Sequence, residues 1–157
     1  MQNPTPRYLF SQLGRMFNLF FFSCFVLLTL AALYVSQAGP LLGTEAAAEP
    51  IWKTLAITLA VLNIPLAYGL AQKQIKSIPK QNELTEKIRA YRSPLLLRFS
   101  LAHAAFSANC ILFLLSGDQG LMIIMAIVLL FFILSRPSPF RAALDLELSD
   151  EEKTQII

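Results

Sequence analysis

A few polar side chains interrupt long apolar stretches of the sequence, and these are the residues that could do chemistry. Asn63, His103, Ser23 and Cys24 each lie inside such a stretch. Each stretch is taken as a helix that rises about 1.5 Å per residue and crosses in the opposite direction to the one before it. All four side chains then lie about 11 to 13 Å deep, counted from the same side of the membrane. Polar groups at that depth in a membrane are costly and are candidate functional sites. The spacing therefore predicts one intramembrane polar cluster.

The single histidine decides what this cluster could do. Histidine titrates near neutral pH, so His103 could relay protons or bind a ligand. A neutral histidine could instead hydrogen-bond two helices together, which is worth about 1 kcal/mol in a membrane. Because the apolar stretches contain no Asp or Glu, His103 has no acidic partner there, and we expect the structural role.

Pro65 predicts a kink in the second apolar stretch. Proline has no N–H to donate, so the carbonyl of Val61 loses its partner within the helix. Asn63 lies beside this break. We therefore expect His103 to donate a hydrogen bond either to Asn63 or to the freed carbonyl.

The residue counts exclude several kinds of membrane protein. One histidine cannot supply paired haem ligands, and two cysteines at different expected depths do not form the close pair of a disulfide-generating enzyme. The apolar stretches lack the carboxylate of proton-coupled exporters and rotary-ring subunits, and the aspartate cluster of metal-dependent lipid transferases. The sequence also lacks a Gly-x-Ser-x-Gly elbow. We therefore expect no catalytic residues, no cofactor and no metal.

The apolar stretches are long enough to cross a membrane, which takes about 20 residues. With 55% hydrophobic and 15% charged residues, the chain is too apolar for a soluble domain. The sequence predicts an all-α fold: a single integral membrane domain over 1–157, built as a four-helix transmembrane bundle with short cytoplasmic amphipathic helices. The expected spans are 16–37, 51–72, 94–116 and 120–135, with a cytoplasmic loop at 73–93 and a cytoplasmic tail at 136–157.

The first span has an alternative interpretation, and the fourth is short. The first could be a cleaved signal peptide, because Arg7 and Arg15 precede it and Ser36-Gln37-Ala38 resembles a cleavage site. Its apolar stretch of about 20 residues exceeds the roughly 7 to 15 of a signal peptide, so we expect a retained helix. The fourth span is about 24 Å long and needs loop residues or a locally thinner bilayer.

The charged residues sort by side of the membrane. In a four-span chain every lysine and arginine except Lys53 lies on the side that holds both termini. The opposite side holds Glu45, Glu49 and Asp118. The positive-inside rule then places both termini in the cytoplasm, and we expect a bacterial inner membrane. The net charge of +3 is a topology signal, and we expect no nucleic-acid binding.

The basic loop predicts a short amphipathic helix lying in the membrane interface. Asn82 could cap this helix, because apolar residues recur after it at helical spacing. Ser93 and Pro94 would then begin the third span. The residues expected to contact anionic lipid headgroups are Lys87, Arg89, Arg92 and Arg98, the last by extending its long side chain out of the span.

The tail predicts two short helices. Ser138 can cap a helix that starts at Pro139, and Ser149 with Glu152 forms a capping box. The apolar stripe of the first tail helix would consist of Phe140, Leu144 and Leu148. The acidic residues of the tail could bind the protein's own basic loop, bind a partner's basic surface, or face water, and we favour the last.

Small residues at a spacing of four predict close helix contacts. They occur at Ala56 and Ala60 in the second span and at Ser100, Ala104 and Ala108 in the third. We expect both ridges to form the internal packing seam, although a homodimer face would show the same pattern.

A loose pattern occupies the second half of the chain. It consists of Tyr91-Arg92-Ser93-Pro94, an arginine at position 98, a helical hairpin and Arg136-Pro137. In these residues the chain resembles a group of small, uncharacterised four-span bacterial membrane proteins. The resemblance implies the architecture and carries over no activity and no functional residue.

These observations favour a non-enzymatic accessory or structural membrane protein that acts through helix packing and contacts at its cytoplasmic face. Its partners would be the lipid bilayer, anionic headgroups, and a membrane-protein partner or further copies of the same chain. The alternative is a small oligomeric channel or transporter in which the polar layer of Asn63 and His103 lines the path.

Overall fold

The computed structural model describes residues 5–43 and 50–156, and within them the chain forms helices and no strands. The helices are α1 (Pro6–Ala38), α2 (Ile51–Lys76), α3 (Leu84–Ser116), α4 (Gly120–Leu134), α5 (Pro139–Asp145) and α6 (Asp150–Thr154). The helices α1, α2 and α3 are each long and apolar enough to cross a membrane. The short α4 qualifies only together with α5, from which it is bent by 77°. The chain is therefore an integral membrane protein with three candidate spans in the described residues, or four if the bent pair is one span.

Helix α3 is longer than the sequence predicted. We expected a short interfacial helix and a separate span that begins at Pro94, but one helix of 33 residues contains both, with Pro94 inside it. The helix starts after Glu83, one residue beyond the predicted cap at Asn82. Ile88 and Tyr91 are buried and continue the buried face of the span, so their packing outweighs the hydrogen bond that the proline removes.

Helix α1 also begins earlier than expected, at Pro6 instead of residue 16. Its buried residues, Leu13, Phe17, Cys24 and Ala31, fall at spacings of four and seven. This spacing keeps them on one face of the helix. The extension of α1 therefore packs against the same neighbours as its apolar part.

The central helix is α3, which packs against α1, α2 and α4. Half of its most apolar stretch is buried within the protein, against 11% for α1 and 22% for α2. Three rings join three of the helices: Phe17 of α1, Phe99 of α3 and Phe132 of α4 have centroids 5.5 to 5.7 Å apart. Aromatic rings at these distances attract one another beyond the area that they bury.

Helix α2 contributes a face of alanines. The buried residues of this face are Ala56, Ala60, Ala67 and Ala71. The predicted ridge of Ala56 and Ala60 is thus confirmed as part of the internal seam, and small side chains let α2 approach α3 closely. The second predicted ridge is wrong as an internal seam, because Ser100 and Ala104 are exposed.

We call the end of the helices where α2 stops and α3 starts the basic end, after Lys76, Lys80 and Lys87. At the opposite end, the segment after α1 caps α3. The N–H groups of Leu41 and Leu42 donate to carbonyls of the last turn of α3 at 3.0 and 3.2 Å. These bonds satisfy carbonyls that have no partner within the helix.

An ion pair stands beside this cap. Lys53, the one cation that we expected on this side, lies 3.1 Å from Asp118 at the start of α4. Glu45 and Glu49, which we also expected on this side, lie outside the described residues.

Both predicted tail helices are confirmed. The hydroxyl of Ser138 accepts from the N–H of Arg141 and caps α5. Ser149 and Glu152 form the predicted capping box at the start of α6. The two helices are too short to persist alone and depend on their contacts with the rest of the protein.

A Schellman motif turns the chain between α5 and α6. The N–H of Leu148 donates to the carbonyl of Ala143 at 3.0 Å, and that of Glu147 to Leu144 at 3.4 Å. Glu147 has a φ of 49°, in the left-handed region where glycine is usual at this position. The predicted apolar stripe is only partly right: Leu148 is buried, but Phe140 and Leu144 are 75% and 63% exposed.

Candidate functional site

The tail lies against the basic end and is held there by three polar contacts. Lys87 donates to Glu152 at 2.8 Å, and the hydroxyl of Tyr91 donates to Asp145 at 2.6 Å. A third contact joins Lys80, in the loop before α3, to Glu147. Of the interpretations that we weighed for the acidic tail, the structure shows the first: the tail binds the protein's own basic segment.

Burial distinguishes these contacts. The side chain of Lys87 is 7% exposed and that of Glu152 is 21% exposed, whereas Lys80 and Glu147 are 69% and 63% exposed. Ion pairs between exposed side chains contribute little, because water and salt screen them. The contact of Lys87 with Glu152 is therefore the stronger of the two ion pairs.

The carboxylate of Glu152 is stabilised in its charged form. Lys87 donates to it, and so does the backbone N–H of Ser149 at 2.9 Å. Hydrogen bonds to the charged form lower the pKa of the Glu152 carboxyl below its ordinary value, with that of Lys87 the larger effect. Glu152 thus joins the cap of α6 to the docking of the whole tail.

Arg98 lies further along the same helix as Lys87 and Tyr91 and is fully buried. Its guanidinium carbon lies 4.7 Å from the centre of the Tyr68 ring on α2. None of its Nε, Nη1 and Nη2 atoms has a hydrogen-bond partner among the described residues. A buried cation without hydrogen bonds is costly, and the Tyr68 ring offsets part of that cost.

Two of the expected headgroup contacts are corrected by this arrangement. Arg98 does not extend out of its span, because its side chain packs inward against Tyr68, and Lys87 is buried under the tail. The tail covers Lys87, and Arg98 is buried against Tyr68. Arg89 and Arg92 are exposed on α3, and their contact with headgroups stays a prediction.

The structure joins two members of the predicted intramembrane cluster. The hydroxyl of Ser23 on α1 lies 2.8 Å from Nε2 of His103 on α3. The same hydroxyl donates its one proton to the carbonyl of Phe20 at 2.7 Å, so His103 is the donor through Nε2–H. The other ring nitrogen, Nδ1, then accepts from Ser107 at 3.4 Å. This arrangement fits a neutral histidine that holds two helices together.

The remaining members of the cluster lie in other surroundings. No hydrogen bond joins Asn63 to His103 in the part of the chain that the structure describes, and Oδ1 of Asn63 is buried without a partner there. This corrects our expectation for His103, which contacts α1 instead of α2. Cys24 is fully buried in the apolar core with Cys110, and both thiols are free. Pro65 lies inside the uninterrupted helix α2.

The sequence offered attachment of the tail to the basic loop only as a less favoured alternative and did not pair its residues, because they are distant in the chain. Lys87 and Tyr91 are four residues apart and share one face of α3, and Asp145 and Glu152 lie in the tail. A basic or hydroxyl-bearing face followed by an acidic tail was the available signal, but charge pattern alone does not say which groups meet. Among the described residues no group of three or more His, Cys, Asp and Glu side chains could hold a metal ion.

The geometry is that of a closed polar contact between the tail and the basic end, and comparison with known proteins assigns the chain to no group. No family model, no curated protein and no solved structure matches the chain.

Proposed function

We propose that this protein is a non-enzymatic accessory or structural protein of a bacterial inner membrane. In this proposal the chain is one domain over residues 1–157, a four-helix transmembrane bundle with α4 as its short fourth span. Both termini and the basic end face the cytoplasm. The distribution of lysines and arginines supports this orientation, because Lys53 is the one cation that falls on the other side.

The observation that carries the proposal is the tail packed on the basic end. Lys87, Tyr91 and Lys80 bind three acidic residues of the tail and so build a fixed surface from distant parts of the chain. Arg89 and Arg92 are exposed on the same helix, where cations attract anionic headgroups. A fixed charged surface of this kind suits contact with a membrane-protein partner and with lipid.

The polar groups inside the apolar helices support the same proposal. The hydrogen bond between Ser23 and His103 is used to join α1 to α3. Asn109 and Ser116 donate to carbonyls of their own helix at 2.8 Å each. The hydroxyl and amide N–H donors of Ser116 and Asn109 are thus used within their own helix, while Oδ1 of Asn109 is buried without a partner among the described residues.

The first test measures what His103 contributes. We expect His103→Ala to lower the free energy of unfolding in mild detergent by about 1 kcal/mol, and Ser23→Ala to have a similar effect. The double variant should lose less than the sum of the two, because both remove one bond. Ser36→Ala is the control, since that exposed hydroxyl bonds only to its own helix. A pH-dependent proton flux in liposomes that disappears with His103→Ala would refute the proposal.

The second test identifies partners by native mass spectrometry of the protein extracted in mild detergent. A heteromeric partner at fixed stoichiometry supports the accessory role. A discrete homo-oligomer without other proteins contradicts that role and supports the second candidate.

One observation favours this second candidate, a small oligomeric channel or transporter with the layer of Asn63 and His103 along its path. The Oδ1 atom of Asn63 is buried without a hydrogen-bond partner in the described residues, which leaves an acceptor among the helices for a water molecule. Asn63→Cys and His103→Cys, in a chain that also carries Cys24→Ala and Cys110→Ala, test this with aqueous thiol reagents. Complete protection at both positions would exclude a water-filled path.

A further inference from the structure

A crevice opens between α1 and α4 near the basic end. It has a volume of about 310 Å³ and is lined by Phe17, Asn18, Phe21, Phe22, Ile133 and Arg136. The two helices make few contacts with each other, whereas α3 packs against both. The crevice is therefore open towards the surroundings of the protein along the side of the helices.

Its mouth is polar and basic. Arg136 follows the last turn of α4, is exposed, and lies two residues beyond the last apolar residue of that helix. Asn18 is exposed on α1, three residues after Arg15, where the apolar stretch begins. Neither side chain makes a hydrogen bond or an ion pair within the described residues. The mouth thus presents unused donors at the level where the apolar part of both helices ends.

The wall of the crevice is aromatic and apolar. The rings of Phe17 and Phe21 are stacked with centroids 5.7 Å apart, and Phe21 lies 6.4 Å from Phe132 of α4. Phe22 is 63% exposed and Ile133 is 48% exposed. This wall is held by ring contacts on its inner side and leaves an open apolar surface on its outer side.

The residues of the crevice match the parts of one kind of molecule. A guanidinium and an amide suit a phosphate, because both can donate to its oxygens, and arginine can do so through two parallel bonds. The apolar wall beneath suits a hydrocarbon chain. No acidic residue lines the crevice.

We propose that this crevice binds one phospholipid of net negative charge from the leaflet at the basic end. Its phosphate accepts hydrogen bonds from Arg136 and Asn18, and an acyl chain lies against Phe21, Phe22 and Ile133. The site differs from the headgroup contacts that the sequence predicted on α3. It does not depend on the accessory role, since it requires only that the helices lie in a membrane.

The test is native mass spectrometry of the detergent-purified chain with added lipid. We expect phosphatidylglycerol to bind at one site more tightly than phosphatidylcholine, and Arg136→Gln to weaken it about fivefold. Arg7→Gln is the matched control, because it removes the same charge from an exposed arginine of α1 that lies outside the crevice. An equal loss in both variants would show diffuse attraction to the surface and overturn the proposal.

Two further measurements complete the test. Competition by a free phosphate ester identifies the source of the phosphate, and two tryptophan variants test the apolar wall without changing any charge. Glycerol 3-phosphate should not compete, and competition at equal concentration would mean an anion site without a lipid.

Ile133→Trp should fill the crevice and weaken binding, whereas Ile123→Trp, at a 67% exposed position elsewhere on α4, should not. No loss with Ile133→Trp would overturn the acyl-chain part. None of these readouts depends on a protein partner or on flux, so failure here is distinct from failure of the accessory role.

Discussion

Removing the charge of Glu152 should release the tail from the basic end. Glu152→Gln keeps the shape of the side chain and still accepts from the N–H of Ser149, as glutamine does in a capping box. What it loses is the charged acceptor for Lys87, whose side chain is 7% exposed. The change therefore tests the docking contact and leaves the helix cap in place.

The size of the effect follows from burial. A hydrogen bond between charged groups that is partly shielded from water contributes about 1.5 to 3 kcal/mol. Taking about 2 kcal/mol, the equilibrium between docked and released tail should shift about 30-fold. Glu147→Gln removes the same charge from a pair whose members are 69% and 63% exposed, so it should cost at most about 0.5 kcal/mol, or about twofold.

Hydrogen exchange of the tail amides measures this equilibrium. The N–H groups of Ala142 and Leu146 are bonded only while α5 is formed. They should exchange about 30-fold faster in Glu152→Gln than in the wild-type protein, while amides in the middle of α3 stay unchanged. Equal acceleration by Glu152→Gln and Glu147→Gln, or none by Glu152→Gln, would refute the argument that burial of Lys87 sets the strength of docking.

Three more expectations concern single residues. Because the pKa of Glu152 is lowered below its ordinary 4.5, its contribution to docking is present above that pH and is lost as the pH falls through the lowered value. The protection of the tail amides, which is their exchange rate relative to that of an unfolded peptide at the same pH, should therefore fall on acidification by more in the wild-type protein than in Glu152→Gln. Arg98→Met should leave the free energy of unfolding unchanged or raise it by about 1 to 2 kcal/mol, because it removes a buried cation without hydrogen bonds. A loss of stability above about 1 kcal/mol in thermal unfolding would contradict this. Gly117→Ala should lower the free energy of unfolding by about 1 to 2 kcal/mol, because Gly117 has a φ of 65° and a Cβ there would lie 3.2 Å from Pro40. The control is Gly14→Ala, in open space on α1, which should stabilise the protein slightly. Equal effects of the two changes would count against backbone strain at Gly117.

Local signals in the sequence predicted the parts of the fold that depend on local chemistry. The caps at Ser138 and Ser149 are confirmed, because each requires only a hydroxyl and the N–H groups that follow it. The ends of α4 fall within a residue of the predicted span, since a turn sequence precedes it and Pro137 follows. The apolar stretch of α2 was also found, although the helix continues to Lys76.

The same local signals failed where packing decides. Ser93 and Pro94 have the chemistry of a helix start, but the buried residues on both sides of them form one continuous face, and α3 continues through the proline. Arg98 has a side chain long enough to reach the membrane surface, and only the three-dimensional position of the Tyr68 ring shows why it stays inside. For His103 the sequence supplied the depth of the side chain, but the choice between Ser23 and Asn63 depends on how the helices are rotated.

The position of the tail in the chain gives its contact with Lys87 and Tyr91 a consequence for biogenesis. Both residues belong to the first turns of α3, and the carboxylates that bind them follow α4 in the sequence. While the chain is made, α3 therefore reaches the membrane before its acidic partners exist. In the orientation proposed above, Lys87 is in that interval an uncovered positive charge at the membrane surface, of the kind that holds a flanking segment on the cytoplasmic side during insertion. In that orientation one lysine would serve twice in succession, first as an orientation signal for the nascent helix and then as the anchor of the finished tail.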